Sequence, residues 1–221
     1  MEENMKSIRK IIKSLIFVGL VFVFALSLVS QLGAQNKHLK GEYAVVGEAT
    51  CLSHWLVNPN GGNTTPYSIH TSSAQGTMTF NGDGTGSAQI SSVNVTHPIY
   101  TPIPMAQYWW SPFPDGILGH TNTNDVLLQF TYTVSPNGAI SRTITTAQGT
   151  FTYGPLAGKT FTFTPFTLTG FVSKDKGTIF LSSVPGQAEI YTMVISNEDG
   201  TPYGTQEQEC HRSRVLTLIS K

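Results

Sequence analysis

Three side chains near the C-terminus, Glu207, Glu209 and His211, recur at every second position. In an extended chain alternate residues project from one face, so this trio has the spacing of a metal seat or of an acid and base pair. A solvated outer strand face has the same spacing and is the preferred reading, although Val215 and Ile219 share the parity. Asp83 lies in Asn81-Gly82-Asp83-Gly84-Thr85-Gly86, a composition like that of Gly- and Asp-rich calcium repeats, but those act as stacked tandem copies. A single copy reads as a turn, as does Glu198-Asp199-Gly200. His54, His97 and His120 are scattered at spacings that fix no shared ligand. The sequence holds no nucleophile elbow, zinc-protease helix motif or phosphate loop, and it supplies no catalytic, metal or cofactor set that could be assigned by spacing.

Aromatic rings make the strongest functional candidate. Tyr100, Tyr108, Trp109, Trp110 and Phe113 fall within Thr96 to Asn124, where Pro98, Pro102, Pro104, Pro112 and Pro114 rule out a regular helix or an inner strand. Long irregular segments in compact domains often serve as lids or binding loops. Together with Trp55, Phe130 and Tyr132, these rings are expected to line a ligand site; the alternative is a loop that plugs one end of the fold.

The elements that would position such a site are strands. The stretch Gly76 to Ile90 places two β-like runs around Asn-Gly-Asp-Gly, residue types that accept the positive φ of a tight hairpin. Val126, Leu128, Phe130, Tyr132 and Val134 share one face of a period-two run, with Gln129, Thr131 and Thr133 on the other. A first strand is expected at Glu42 to Leu52, a loop at Ser53 to Ala74, and further strands after Ser135-Pro136-Asn137-Gly138, Lys174-Asp175-Lys176-Gly177 and Asn197-Glu198-Asp199-Gly200. In Glu189 to Ser196 both faces carry apolar residues, so both are expected to be covered. Eight to ten short strands with no helical pattern predict an all-β fold, a single antiparallel meander barrel of about eight strands, with a β-sandwich as the alternative.

The N-terminus reads as an export signal. Lys6, Arg9, Lys10 and Lys13 precede an apolar core from Leu15 to Val29, and Leu32-Gly33-Ala34 supplies a small-residue cleavage site. Residues 1–34 are therefore expected to be a removed signal helix, with 35–221 as one domain and no stable membrane anchor afterwards; an uncleaved anchor is the alternative. The remaining domain would hold 9 Lys and Arg against 11 Asp and Glu. Such a near-neutral balance, with only Lys174/Lys176 and Arg212/Arg214 as basic pairs, argues against nucleic acid as a partner. The chain's 2 cysteines, Cys51 and Cys210, are expected to form a disulfide in an oxidising compartment, which would bring the first and last strands together.

Gly41-x-Tyr43 opening the first strand, the run of hairpins, and Cys210-x-Arg212 in the last strand resemble the lipocalin-like or calycin barrels. The order of features is also similar to exported bacterial β-barrel proteins of unestablished function. The lipocalin resemblance implies a closed barrel in which Arg212 or Arg214 packs over Tyr43 by a cation–π contact; this chain has Tyr43 where those proteins usually carry Trp. The functional expectation is an exported barrel holding a small apolar or amphipathic ligand under the aromatic loop. One alternative is a surface or structural module that binds protein or glycan. Another is a barrel-based hydrolase, isomerase or cyclase, which would need groups such as Glu207, Glu209 and His211 inside the lumen.

Overall fold

The computed structural model describes residues 39–57, 68–98 and 120–221. Ten strands follow one another: β1 (Lys40–Val57), β2 (Ser68–Asn81), β3 (Thr85–Pro98), β4 (His120–Val134), β5 (Ala139–Tyr153), β6 (Thr160–Phe163), β7 (Phe166–Val172), β8 (Thr178–Ser183), β9 (Glu189–Ser196) and β10 (Pro202–Ser220). Abundant Thr, Val, Ile and Phe suit these residues to a pleated, half-buried surface. All pairings are antiparallel, and β1 pairs with β10 from Glu42↔Ser220 to Val57↔Thr205, which closes the sheet.

The ring has eight staves, because β6 with β7 and β8 with β9 each fill one position. The first half of β5 pairs with β7 and its second half with β6. Likewise β10 pairs with β9 through Pro202 to Cys210 and with β8 through Ser213 to Thr217. Thr164-Pro165 breaks one stave and residues 184–188 the other. Proline cannot donate to a ladder, so the break at Pro165 follows from the sequence.

One end of the barrel carries the tight hairpins. Between β2 and β3, Gly82 and Gly84 adopt φ of 87° and 94°, and the Asp83 carboxylate accepts hydrogen bonds from the amide and hydroxyl of Thr85 at 2.8 and 2.6 Å. This end is the base, and it is packed with rings. Phe80 lies edge-on to Tyr43, Phe130 and Tyr132, with centroids 5.4, 5.3 and 4.9 Å apart. Tyr132 donates to the carbonyl of Leu39 at 2.7 Å and accepts from the amide of Gly82 at 3.2 Å, while Tyr43 donates to Lys176 at 2.9 Å. Each hydroxyl therefore satisfies backbone at the edge of the apolar core.

The opposite end is the mouth, where β1 and β3 end at Val57 and Pro98 and β2 and β4 begin at Ser68 and His120. A second apolar cluster of Val126, Phe151, Leu156, Phe161, Met193 and Ile195 lines the wall of β4, β5, β6 and β9 toward that end. Two inward glycines are each covered by a ring from the facing strand: Gly86 pairs with Phe130 and Gly149 with Phe161.

Several strand limits differ from expectation. β1 runs on to Val57 and β2 starts at Ser68, so much of the expected Ser53 to Ala74 loop is strand. The ends of the Thr96 to Asn124 segment belong to β3 and β4. In β9 only one face is covered, since Ile190 and Val194 are exposed. The expected signal segment lies outside the described residues.

Candidate functional site

Above the ring-packed base the lumen opens into a cavity of about 140 Å³. Its lining is not uniform in chemistry. On β2, β3 and β4 the lining toward the mouth is polar, with Ser68, His70, Ser72, Ser92, Asn94, Thr96, Asn122 and Asn124, and deeper it is apolar, with Ala74, Met78, Ile90, Val126 and Leu128. On β5, β6 and β9 the lining includes Ile144, Phe151, Phe163 and Met193.

The polar side is wired internally. Ser53 and Ser68 hydroxyls meet at 3.0 Å, His70 Nε2 lies 3.0 Å from Ser68 Oγ, and His70 Nδ1 lies 2.8 Å from Thr96 Oγ1. Ser92 donates to Asn124 Oδ1 at 2.6 Å. A serine beside a histidine has the outline of an activated nucleophile, but here a threonine, not a carboxylate, holds the second ring nitrogen. The network therefore acts as a hydrogen-bonding wall.

Charge gathers between the cavity and the base. Glu189 is buried; its carboxylate accepts from Ser183 Oγ at 2.6 Å and lies 2.9 Å from Arg212 Nε. The Arg212 amide donates to the same Ser183 Oγ at 2.7 Å, so this ion pair clasps the stave broken at 184–188. The Arg212 guanidinium stacks on Phe166 and Tyr191 at 4.7 and 4.9 Å and donates to the Tyr191 hydroxyl. Tyr191 in turn donates to Gln208 at 2.6 Å, and burial, the largest influence, raises its pKa. The stem of Arg214 fills the space over Gly47, and its Nη1 donates to the carbonyls of Glu48 and Ser213.

Arg142 differs from both. It is 2% exposed, its Nη1 contacts Met78 Sδ at 3.0 Å, and its guanidinium lies 5.3 Å from the Phe130 centroid. Its Nε has no hydrogen-bond partner. Among the described residues no carboxylate lies within ion-pair distance of it. Burial, then the nearby Arg214 and Arg212, push its pKa down to about 9, which leaves it charged at neutral pH.

The residues singled out from sequence fall in different places. Trp55 lines the cavity, its ring 6.2 Å from that of Tyr203 near the mouth. Phe130 and Tyr132 are buried in the base and do not border the cavity. Tyr100, Tyr108, Trp109, Trp110 and Phe113 lie outside the described residues. Cys51 and Cys210 are joined in a disulfide at directly paired positions of β1 and β10.

Glu207, Glu209 and His211 alternate with the buried Gln206, Gln208 and Cys210, so they face outward, and Glu207 lies 3.9 Å from His54 Nε2. Asp83 and Asp199 spend their carboxylates on Thr85 and Thr201 in tight turns. Among the described residues no three His, Cys, Asp or Glu side chains are grouped to hold a metal. The cation–π contact expected over Tyr43 is made elsewhere: Arg212 lies over Phe166 and Tyr191, because β10 directs it to the broken stave.

Sequence reasoning passed over Arg142, Glu189 and His70. Parity was the usable signal for Arg142, which sits between Ile140 and Ile144 on the inward face of β5.

No protein-family model and no curated protein sequence matches the chain. Among solved structures it is similar to the outer membrane protein OprG from Pseudomonas aeruginosa, with 10% identity and a TM-score of 0.28 over 83% of this chain and 95% of that one.

Proposed function

We propose that the protein is an exported barrel that holds a small amphipathic ligand in its lumen, a lipocalin-like use of a closed sheet. The observation that carries this reading is the cavity itself, in which Ser, His, Asn and Thr gather on β2, β3 and β4 toward the mouth while apolar residues, among them Ile90, Leu128, Ile144, Phe163 and Met193, line the rest. Small-molecule sites combine such an apolar surface with a few placed polar groups. A barrel filled to the centre by side chains would leave no such space.

Export is supported by the signal-like N-terminus and by the disulfide, since such bridges persist in oxidising compartments. The outer wall favours a barrel in water. Outward positions of β2, β3, β4 and β5 are dominated by Thr, Ser and Gln, whereas a bilayer-spanning barrel presents an apolar band about 25 Å tall.

Native mass spectrometry of protein taken from its own exported compartment tests this reading. A small-molecule adduct lost on denaturation is expected, and an apolar dye should change the emission of Trp55 in the emptied protein. A bare chain that also ignores such dyes would remove the proposal.

A further inference from the structure

The lumen holds a charge for which the described residues supply no counter-ion. Arg142 is almost wholly buried, its Nε is unpartnered, and its other contacts are a methionine sulfur and the face of Phe130. A thioether is a weak acceptor and a ring face only partly replaces lost hydration. A buried guanidinium without a counter-ion is costly to keep, and an apolar residue of similar volume would usually serve the core better. Arg212, by comparison, has Glu189, Tyr191 and Phe166.

The cavity reaches this group. Among the described residues its lining includes three guanidinium groups, Arg142, Arg212 and Arg214, and no carboxylate. The one buried acid among the described residues, Glu189, is held by Arg212 and Ser183. The resident potential of the lumen floor is thus positive, and Arg142 remains charged at neutral pH, with a pKa of about 9. A planar guanidinium matches a carboxylate in two parallel hydrogen bonds.

Resting on the proposed ligand-holding function, we infer that the lumen binds a small organic carboxylate whose acid group pairs with Arg142 at the cavity floor. Room for the rest of the molecule is limited. A cavity of about 140 Å³ is close to the size that admits a benzene ring, so the ligand body is a single ring or a short chain. That body would lie against Ile144, Phe151, Phe163 and Met193, and any hydroxyl on it would meet Asn94 or Asn124.

The test uses benzoate, acetate and the neutral benzamide as probes, at constant ionic strength set by chloride. The Nε–H signal of Arg142 is identified in ¹⁵N NMR spectra by its loss in Arg142→Met. Benzoate and acetate should move that signal saturably, and benzoate should raise the melting temperature of the wild type; benzamide should leave the signal in place. In Arg142→Met, benzoate should bind at least ~10-fold more weakly, as expected when one charge-assisted pair is lost.

A signal unmoved by both carboxylates overturns the inference, whether or not the variant folds. Benzamide binding as tightly as benzoate with Arg142 unmoved overturns it too, yet leaves the ligand-holding function standing. An adduct from exported protein that proves to be neutral does the same. A missing adduct and indifference to dyes would instead remove the function beneath it.

Discussion

Replacing both cysteines, as Cys51→Ala with Cys210→Ala, should lower stability mainly through the unfolded chain. The bridge spans a sequence separation of 159. In the chain-entropy model a 100-residue loop is worth about 4.7 kcal/mol and the dependence on length is logarithmic, so this closure comes to about 5 kcal/mol. The folded state has little reason to change, because β1 and β10 are paired on both sides of Cys51↔Cys210 without the bond. For a domain of this size each kcal/mol moves the melting temperature by about 2–4 °C, giving a drop of roughly 10–20 °C. Urea unfolding followed by circular dichroism is the direct assay. The midpoint should fall by about 2 M, and the slope m should rise as the unlinked chain expands. A midpoint shift below about 0.5 M would refute the reasoning. So would a variant that loses amide protection along β1 and β10 under native conditions, since the bond would then be holding the folded state together.

Phe80→Ala empties the centre of the base, where Phe80 touches three other rings, and should cost about 3–5 kcal/mol in thermal or urea unfolding. Gly149→Ala places a methyl 2.4 Å from Phe161 Cζ and 2.5 Å from the carbonyl of Asp125; a loss of about 1–3 kcal/mol is expected, and Phe161→Leu in the same chain should recover only part of it because the backbone contact stays. Burial, the largest cause, raises the Tyr43 pKa to about 12. The folded state then keeps a proton that the unfolded state releases, so this contribution is whole below pH 10 and is lost as pH rises through 12, on the order of 2–3 kcal/mol. Urea midpoints from pH 8 to 12 should fall less steeply in Tyr43→Phe than in the wild type.

The parts of the fold that were legible are those that obey one rule, apolar inward and polar outward. Val126 to Val134 follows it apart from the outward Leu127 and has the expected facing, and the hairpin from Gly76 to Ile90 is strand on both sides of its turn. The rule fails where the lumen is polar. Ser53, Ser68, His70 and Ser72 point inward, so the ends of β1 and β2 carry little hydrophobic contrast and read as loop. Thr96, Asn122 and Asn124 hide the ends of β3 and β4 in the same way. The site itself was obscured for a related reason: an arginine is ordinarily taken for a solvated residue, even where, as for Arg142, its parity is that of the inward Ile140 and Ile144. The disulfide was legible because it required just two cysteines and a compartment, not a register.

The two ends of the described domain meet at the base. Leu39 is tied there through Tyr132, and Ser220 pairs with Glu42 on the neighbouring stave. The mouth is at the other pole, beyond Trp55 and Tyr203. Attachment therefore has a polarity: a surface, a fused domain or an immobilising resin joined directly at Leu39 or Ser220 grips the barrel by its ring-packed pole and leaves the opening directed away. Protein tethered there and free protein should thus exchange a lumen ligand at the same rate, and a short peptide joining Leu39 to Ser220 would cut neither wall nor entrance.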